Sequence, residues 1–162
     1  RTVRDGTMKK FPIAVIMERR RLNNPWVDAA WEAVGVVPAF DDVDPAPSRI
    51  VDEADRCQWR FGALALELFR DEAENYFANI TAPIPKVFIQ WRMEEDLARP
   101  TAVTVSYGEA ARWLDSGEQV DGVAMPREIA DWAGDFFNTH YKPEPKKKVK
   151  RNDPLGLDRR RT

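Results

Sequence analysis

From Phe11 to Met17 the chain places an apolar residue at every second position: Phe11, Ile13, Val15 and Met17, with Ala14, Ile16 and Glu18 facing the other way. A period of two suits a pleated strand, whose side chains alternate between faces, and suits no helix. The pattern returns downstream. Leu64, Leu66 and Leu68 alternate with Ala63, Ala65 and Glu67, and after the polar stretch "RDEAEN" turns the chain, Tyr76, Ala78 and Ile80 alternate with Phe77 and Asn79. Beyond the break from Pro83 to Pro85, Val87, Ile89, Trp91 and Met93 line one face against Phe88, Gln90 and Arg92, and Val103, Val105 and Tyr107 mark one more run. Five to six short antiparallel strands at this spacing predict a small β-barrel or a strongly curled sheet.

Two segments resist the pattern. In "NNPWVDAAWEAVGVVP" Trp26, Ala30, Ala33 and Val37 fit a helical stripe, but Val34, Val36 and Val37 are β-branched, and Gly35 costs a helix about 1 kcal/mol. A turn at Asn23 to Trp26 and a strand over 31–37 are expected instead. The acidic "DDVDPAPSRIVDEAD", residues 41–55, holds two prolines and no period, and is predicted as a loop.

The last third changes period. Ser106 stands three residues before Glu109, the spacing of a capping box, and that helix should stop at Gly117. Pro126 opens a second helix, with Ile129, Trp132, Ala133, Phe136, Phe137 and His140 at helical spacing. The class is therefore α+β: a small antiparallel β-barrel or curled sheet of five to six strands with two C-terminal helices. One domain over 9–141 follows an extension over 1–8 and precedes a basic tail over 142–162. A chain of 162 residues can bury a core of that size without staples.

Several function classes drop out. With 32% charged residues and only short apolar runs, no membrane span is expected. Arg1 to Lys10 is polar and "FPIAVIM" runs straight into "ERRR", so no secretory signal is expected. A single cysteine, Cys57, forms no internal disulfide and suits a reducing compartment, which places the protein in the cytoplasm. Cys57 and the lone His140 lie 83 positions apart without zinc spacing, and His140 fits a helix end, where the dipole favours a cation. No glycine-rich phosphate loop occurs. No metal or cofactor is expected. Asn79-Ile80-Thr81 matches a glycosylation acceptor that a cytoplasmic protein never uses. Glu67, Asp71, Glu72 and Glu74 could supply a carboxylate pair for acid–base work, and a solvated turn explains them more simply. A non-catalytic role is expected, with a small enzyme using those carboxylates as the last alternative.

Binding features are stronger. Six tryptophans are too many for a small core to hide completely, and Trp with Arg makes the usual interface anchor. "CQWRF" and "IQWRM" place Arg60 beside Trp59 and Arg92 beside Trp91, so both pairs are candidate partner-binding residues. On neighbouring strands they would permit a cation–π stack; the plainer alternative is an arginine stem covering an apolar edge. The tail is the other feature. Lys142 to Thr162 has nine Lys/Arg and three acids, a charge of +6, so with −2 overall the other 141 residues carry −8. Lys146, Lys147, Lys148, Lys150, Arg151, Arg159, Arg160 and Arg161 supply the charge, Leu155 and Leu157 an apolar hook, and prolines at 143, 145 and 154 oppose a helix. Such an arm fits an acidic protein surface; nucleic acid is the alternative, against which the −8 body works by repelling phosphates.

Three stretches carry a resemblance: "FPIAVIMERRRLNNPWVDAAWEAVGVVP", "RDEAENYFANITAPIPKVFIQWRME" and "VTVSYGEAARWLDSGEQVDGVAMPREIADWAGDFFNTHYKPEPKKKVKR". Over roughly residues 11 to 151 the chain resembles a small proteobacterial family of unknown function, encoded beside molybdenum- or tungsten-dependent formate dehydrogenase genes. That resemblance implies an accessory subunit or assembly factor of such a molybdoenzyme, with a dehydrogenase subunit as partner. It carries no catalytic residues with it.

Overall fold

The structure is a computed structural model that describes residues 9–41 and 44–140. The expected extension over 1–8 and the whole basic tail lie outside the described residues. At the centre are two long antiparallel strands, β1 (Lys9–Arg21) and β4 (Arg56–Leu68). β2 (Ala29–Pro38) flanks β1 and β3 (Ser48–Asp52) flanks β4, giving a four-stranded sheet in the order β2-β1-β4-β3. A second, three-stranded antiparallel sheet has β5 (Lys86–Glu94) between β6 (Leu97–Thr104) and β7 (Gln119–Ala124). Three α-helices complete the described chain: α1 (Ala73–Ile80), α2 (Tyr107–Asp115) and α3 (Arg127–His140).

The barrel and the curled sheet are both overturned. The fold is α+β with two separate sheets of four and three strands, neither closed nor strongly curled. β2 lies alongside β7, where a barrel would close, but no ladder joins them. Instead the Ala33 amide donates to Asp121 Oδ2 at 2.9 Å. A barrel needs continuous strand pairing round its wall. Here one carboxylate takes the amide that a partner strand would have taken.

Seven strands replace the five to six expected: β3 lies in the stretch expected as a loop, β7 is not among the expected strands, and one expected strand is α1. Bulges also hide part of the alternation within strands. β1 turns Ile13, Val15, Met17 and Arg19 toward one face, paired with Leu64, Phe61, Trp59 and Cys57 of β4. The partners switch from even to odd numbers because β4 has an extra residue at Gly62-Ala63, with Ala63 at φ 62°. A bulge preserves the buried face while breaking the period in sequence. Alternation therefore marks Leu64 to Leu68 and misses Arg56 to Phe61 of the same strand. β2 slips likewise at Val34, between Ala33 and Gly35, and β6 at Thr101, between Pro100 and Ala102.

Other expectations fail locally. Tyr76 to Ile80, expected as a strand, is α1: five residues satisfy either period, and the buried Ala73, Tyr76 and Asn79 sit three apart. The loop expected over 41–55 contains β3. β6 begins at Leu97, after a two-residue hairpin turn in which Glu95 and Asp96 take φ 52° and 66°, the twist-matched geometry, without a glycine to announce it. Tyr107, expected in that strand, starts α2. As the spacing predicts, Ser106 caps α2 through its Oγ, which accepts from the Glu109 amide at 3.1 Å. α3 follows Pro126, also as expected.

The core lies between the sheets and is closed at one end by helices. Tyr76 of α1 and Ile129, Ala133 and Phe136 of α3 join Phe11, Leu66 and Leu68 in it. Each such large side chain contributes roughly 1.5–3 kcal/mol by leaving water. One buried polar group ties the parts together. The Asn79 carboxamide donates to the Lys86 carbonyl (2.6 Å) and the Val105 carbonyl (2.9 Å) and accepts from the Lys86 amide (2.9 Å), holding α1, β5 and the end of β6 in register. Its burial answers the glycosylation match: the side chain is committed to the fold.

Candidate protein-docking surface

At the end opposite α1 and α3, the inner face of the larger sheet changes from apolar to charged. The inward row of β1 runs Phe11, Ile13, Val15, Met17 and then Arg19 and Arg21, which pair across to Trp31 and Ala29 of β2. Those two arginines are exposed where the four before them are buried. Arg20, between them, faces the opposite side. It pairs with Glu32 at 3.3 Å and lies 3.7 Å from Glu18, whose carboxylate also faces Arg56 and accepts from Gln58. Strand alternation thus splits the triplet: one arginine neutralised on the outer face, two delivered to the inner one. Among the described residues neither Arg19 nor Arg21 has a carboxylate within ion-pair distance.

Trp59 of β4 is only 6% exposed because this row covers it. The Arg49 guanidinium lies 5.1 Å from the ring centroid and that of Arg19 5.9 Å, while Trp31 packs on the ring at 5.2 Å. Arg19 also points a guanidinium nitrogen at the buried Cys57 thiol, 3.8 Å away. Arg49 is held by Asp52 at 3.4 Å.

Two adjoining hollows open over this end and share Ala29. One, of about 520 Å³, is lined by Trp31, Trp91, Met93 and the segment 117–119. The other, of about 340 Å³, is lined by Arg19, Arg21, Asp28, Ala54 and Asp55. On the wall of the first, Arg92 grips Glu118 in a two-pronged ion pair at 2.9 and 2.6 Å. That hydrogen bonding and the guanidinium charge hold the Glu118 carboxyl below the usual carboxylate range, and the same contacts raise Arg92 further above its own.

Beside the hollows stands the most exposed large apolar side chain of the described residues, Trp26 at 88%. The turn that presents it is built locally. Asn24 Oδ1 accepts from the Trp26 amide at 2.9 Å across Pro25, and the Leu22 amide donates to the Asp28 carbonyl at 2.9 Å, closing the loop between β1 and β2. An Asx turn around a proline leaves little freedom to lose on binding. The β3–β4 turn braces it, through the Arg21 amide and the Asp55 carbonyl at 2.8 Å.

The residues singled out in sequence fall as follows. Trp59 and Trp91 lie in different sheets, so the two Trp-Arg pairs are not on neighbouring strands. Both indoles are buried, that of Trp91 with Nε1 donating to Asp121 Oδ2 at 2.8 Å. The cations on Trp59 are Arg19 and Arg49, not Arg60, which is half-buried on the outer face; Arg92 lies exposed at the hollow. Lys146, Lys147, Lys148, Lys150, Arg151, Leu155, Leu157, Arg159, Arg160 and Arg161 lie outside the described residues. The acids do not converge. Glu72 is buried, bonded to Arg112 and Asn75, whereas Glu67 lies back on β4 beside Lys10 at 3.6 Å. No group of three His, Cys, Asp or Glu able to hold a metal occurs among the described residues. No helix among them is long and apolar enough to cross a membrane.

Sequence reasoning missed Trp26, Arg19, Arg21 and Arg49 as surface features. Trp26 was findable, since its turn was expected. A family model described as "Protein of unknown function (DUF3305)" matches residues 12–150. No curated protein and no solved structure matches the chain.

Proposed function

The chain belongs to the DUF3305 family of proteins of unknown function, and from that premise we propose that it is a non-catalytic docking protein. It works in the cytoplasm as an accessory subunit or assembly factor of a formate dehydrogenase-type molybdoenzyme. The observation that carries the docking role is Trp26, 88% exposed on a turn that its own hydrogen bonds hold still. Burying an indole removes about 150–250 Å² from water, roughly 4–6 kcal/mol before the costs of association. The choice of dehydrogenase rests on the resemblance described above, and the basic tail adds a cationic arm for an acidic partner surface. Such an arm contributes more to encounter rate and orientation than to affinity.

Native co-purification tests it. Tagged full-length protein should bring down a formate dehydrogenase subunit identified by mass spectrometry, and Trp26→Ala should bring down far less. Recovery of no dehydrogenase subunit by the unaltered protein would remove the proposal.

A further inference from the structure

We infer that the paired hollows at the open end bind an extended segment of a protein partner, one that sets an apolar side chain next to one or two carboxylates. This rests on the docking role proposed above and names the chemistry that the surface accepts. Three features of the surface define the occupant. First, Arg19 and Arg21, two residues apart on β1, point the same way into a hollow, without a carboxylate partner among the described residues. A guanidinium carries five donors in a fixed fork and is best satisfied by a carboxylate. Second, the neighbouring hollow is walled by Trp31, Trp91 and the half-exposed Met93, and Met is the side chain best able to fit around an apolar guest. Ala29 lines both hollows. A guest crossing there sets its apolar residue on Trp31 and its acid on Arg19 and Arg21.

Third, Asp28 and Asp55 line the same hollow as the two arginines. Two carboxylates against two guanidiniums leave the hollow without net charge, which opposes a dense run of phosphates and limits the guest to one or two acids set on the arginines. The body's charge of −8 acts in the same direction at longer range. The surface therefore selects an acidic peptide over a nucleic acid.

The probe is a fluorescein-labelled peptide, Ser-Gly-Leu-Phe-Asp-Glu-Ser-Gly, titrated with the full chain by fluorescence anisotropy at low salt. Versions with the acids replaced by lysine, or with Leu-Phe replaced by serines, should each bind at least tenfold more weakly. Arg19→Gln with Arg21→Gln should weaken the parent peptide at least tenfold. Arg19 also covers Trp59, so Arg21→Gln alone gives a second variant: its side chain makes no hydrogen bond or ion pair among the described residues, and it should still cost several-fold. Equal binding by the parent and lysine peptides, or by wild type and both variants, overturns the inference. So does a twelve-nucleotide uridine RNA that binds as tightly as the parent peptide. Co-purification separates the two proposals. A dehydrogenase captured equally by wild type and the double variant leaves the docking role standing and removes the site, whereas selective peptide binding with no captured dehydrogenase keeps the site and removes the partner.

Discussion

The two ends of the larger sheet share strands but not chemistry. Where β1 begins, its inward Phe11 packs on Trp132 of α3 at 5.2 Å, with Leu66, Leu68, Tyr76 and Phe136 closing the space. Where β1 ends, the same inward row presents Arg19 and Arg21, and the described chain supplies no helix to cover them. Both ends have tryptophans: at one, Trp132 belongs to the covering helix, and at the other Trp59 lies beneath arginines. The difference shows that an inner sheet face is not core by position. It becomes core where another element removes it from water, and where none does, evolution is free to place cations there.

If that division is real, damage at the helical end should cost stability, and damage at the open end should cost only binding. The largest effect expected is at the closed end. Phe136→Ala leaves a cavity beside Tyr76 in the core and should lower unfolding free energy by about 3–5 kcal/mol in urea titration. Asn79→Ala should cost about 2–3 kcal/mol, because the Lys86 amide and two carbonyls lose their partner in the interior. Hydrogen exchange should then rise first at Lys86 and its neighbours in β5. At the open end, Trp26→Ala should change stability by less than about 0.5 kcal/mol, while capture of the partner falls at least tenfold. An unfolding midpoint that drops as far as for Asn79→Ala would break the comparison, since the turn would then be part of the scaffold.

The smallest effect concerns pH. The Arg92–Glu118 pair depresses the Glu118 carboxyl, so its contribution is complete above the ordinary carboxylate range and disappears as pH falls through the lowered folded-state value. The pair is open to water, and its effect on global stability should be slight. A carbon-13 titration of the Glu118 carboxyl should show a midpoint below that in Arg92→Met. Equal midpoints would mean that the wall of the hollow is not clamped as described.

Legibility followed local sufficiency. The cap at Ser106, the helix after Pro126 and the alternation of β1 depend on residues within a turn or two of each other, and each is visible in the chain. β4 was only half visible, because the Gly62-Ala63 bulge reverses the parity of the buried positions and only pairing with β1 reveals the continuation. Tyr76 to Ile80 was misread because so short a run fits two periods, and packing of α1 against α3 selected the helix. The candidate site divided similarly. The Trp26 turn was visible in Asn24-Pro25, while the arginine contacts on Trp59 depend on pairing β1 and β3 to β4, strands far apart in sequence.

The amino-acid sequence alone determined the α+β class, the local caps and turns, the inward row of β1 from Phe11 to Met17, and the opposition of a negative body to a positive tail. These follow from spacing and charge, which act over a few residues or need only counting. The tertiary structure decided that the strands form two sheets instead of a barrel, that Trp59 and Trp91 are buried while Trp26 is not, and that Arg19 and Arg21 share an open hollow. Burial and pairing belong to contacts between distant segments, where one carboxylate, such as Asp121, can take the hydrogen bond on which closure would have depended.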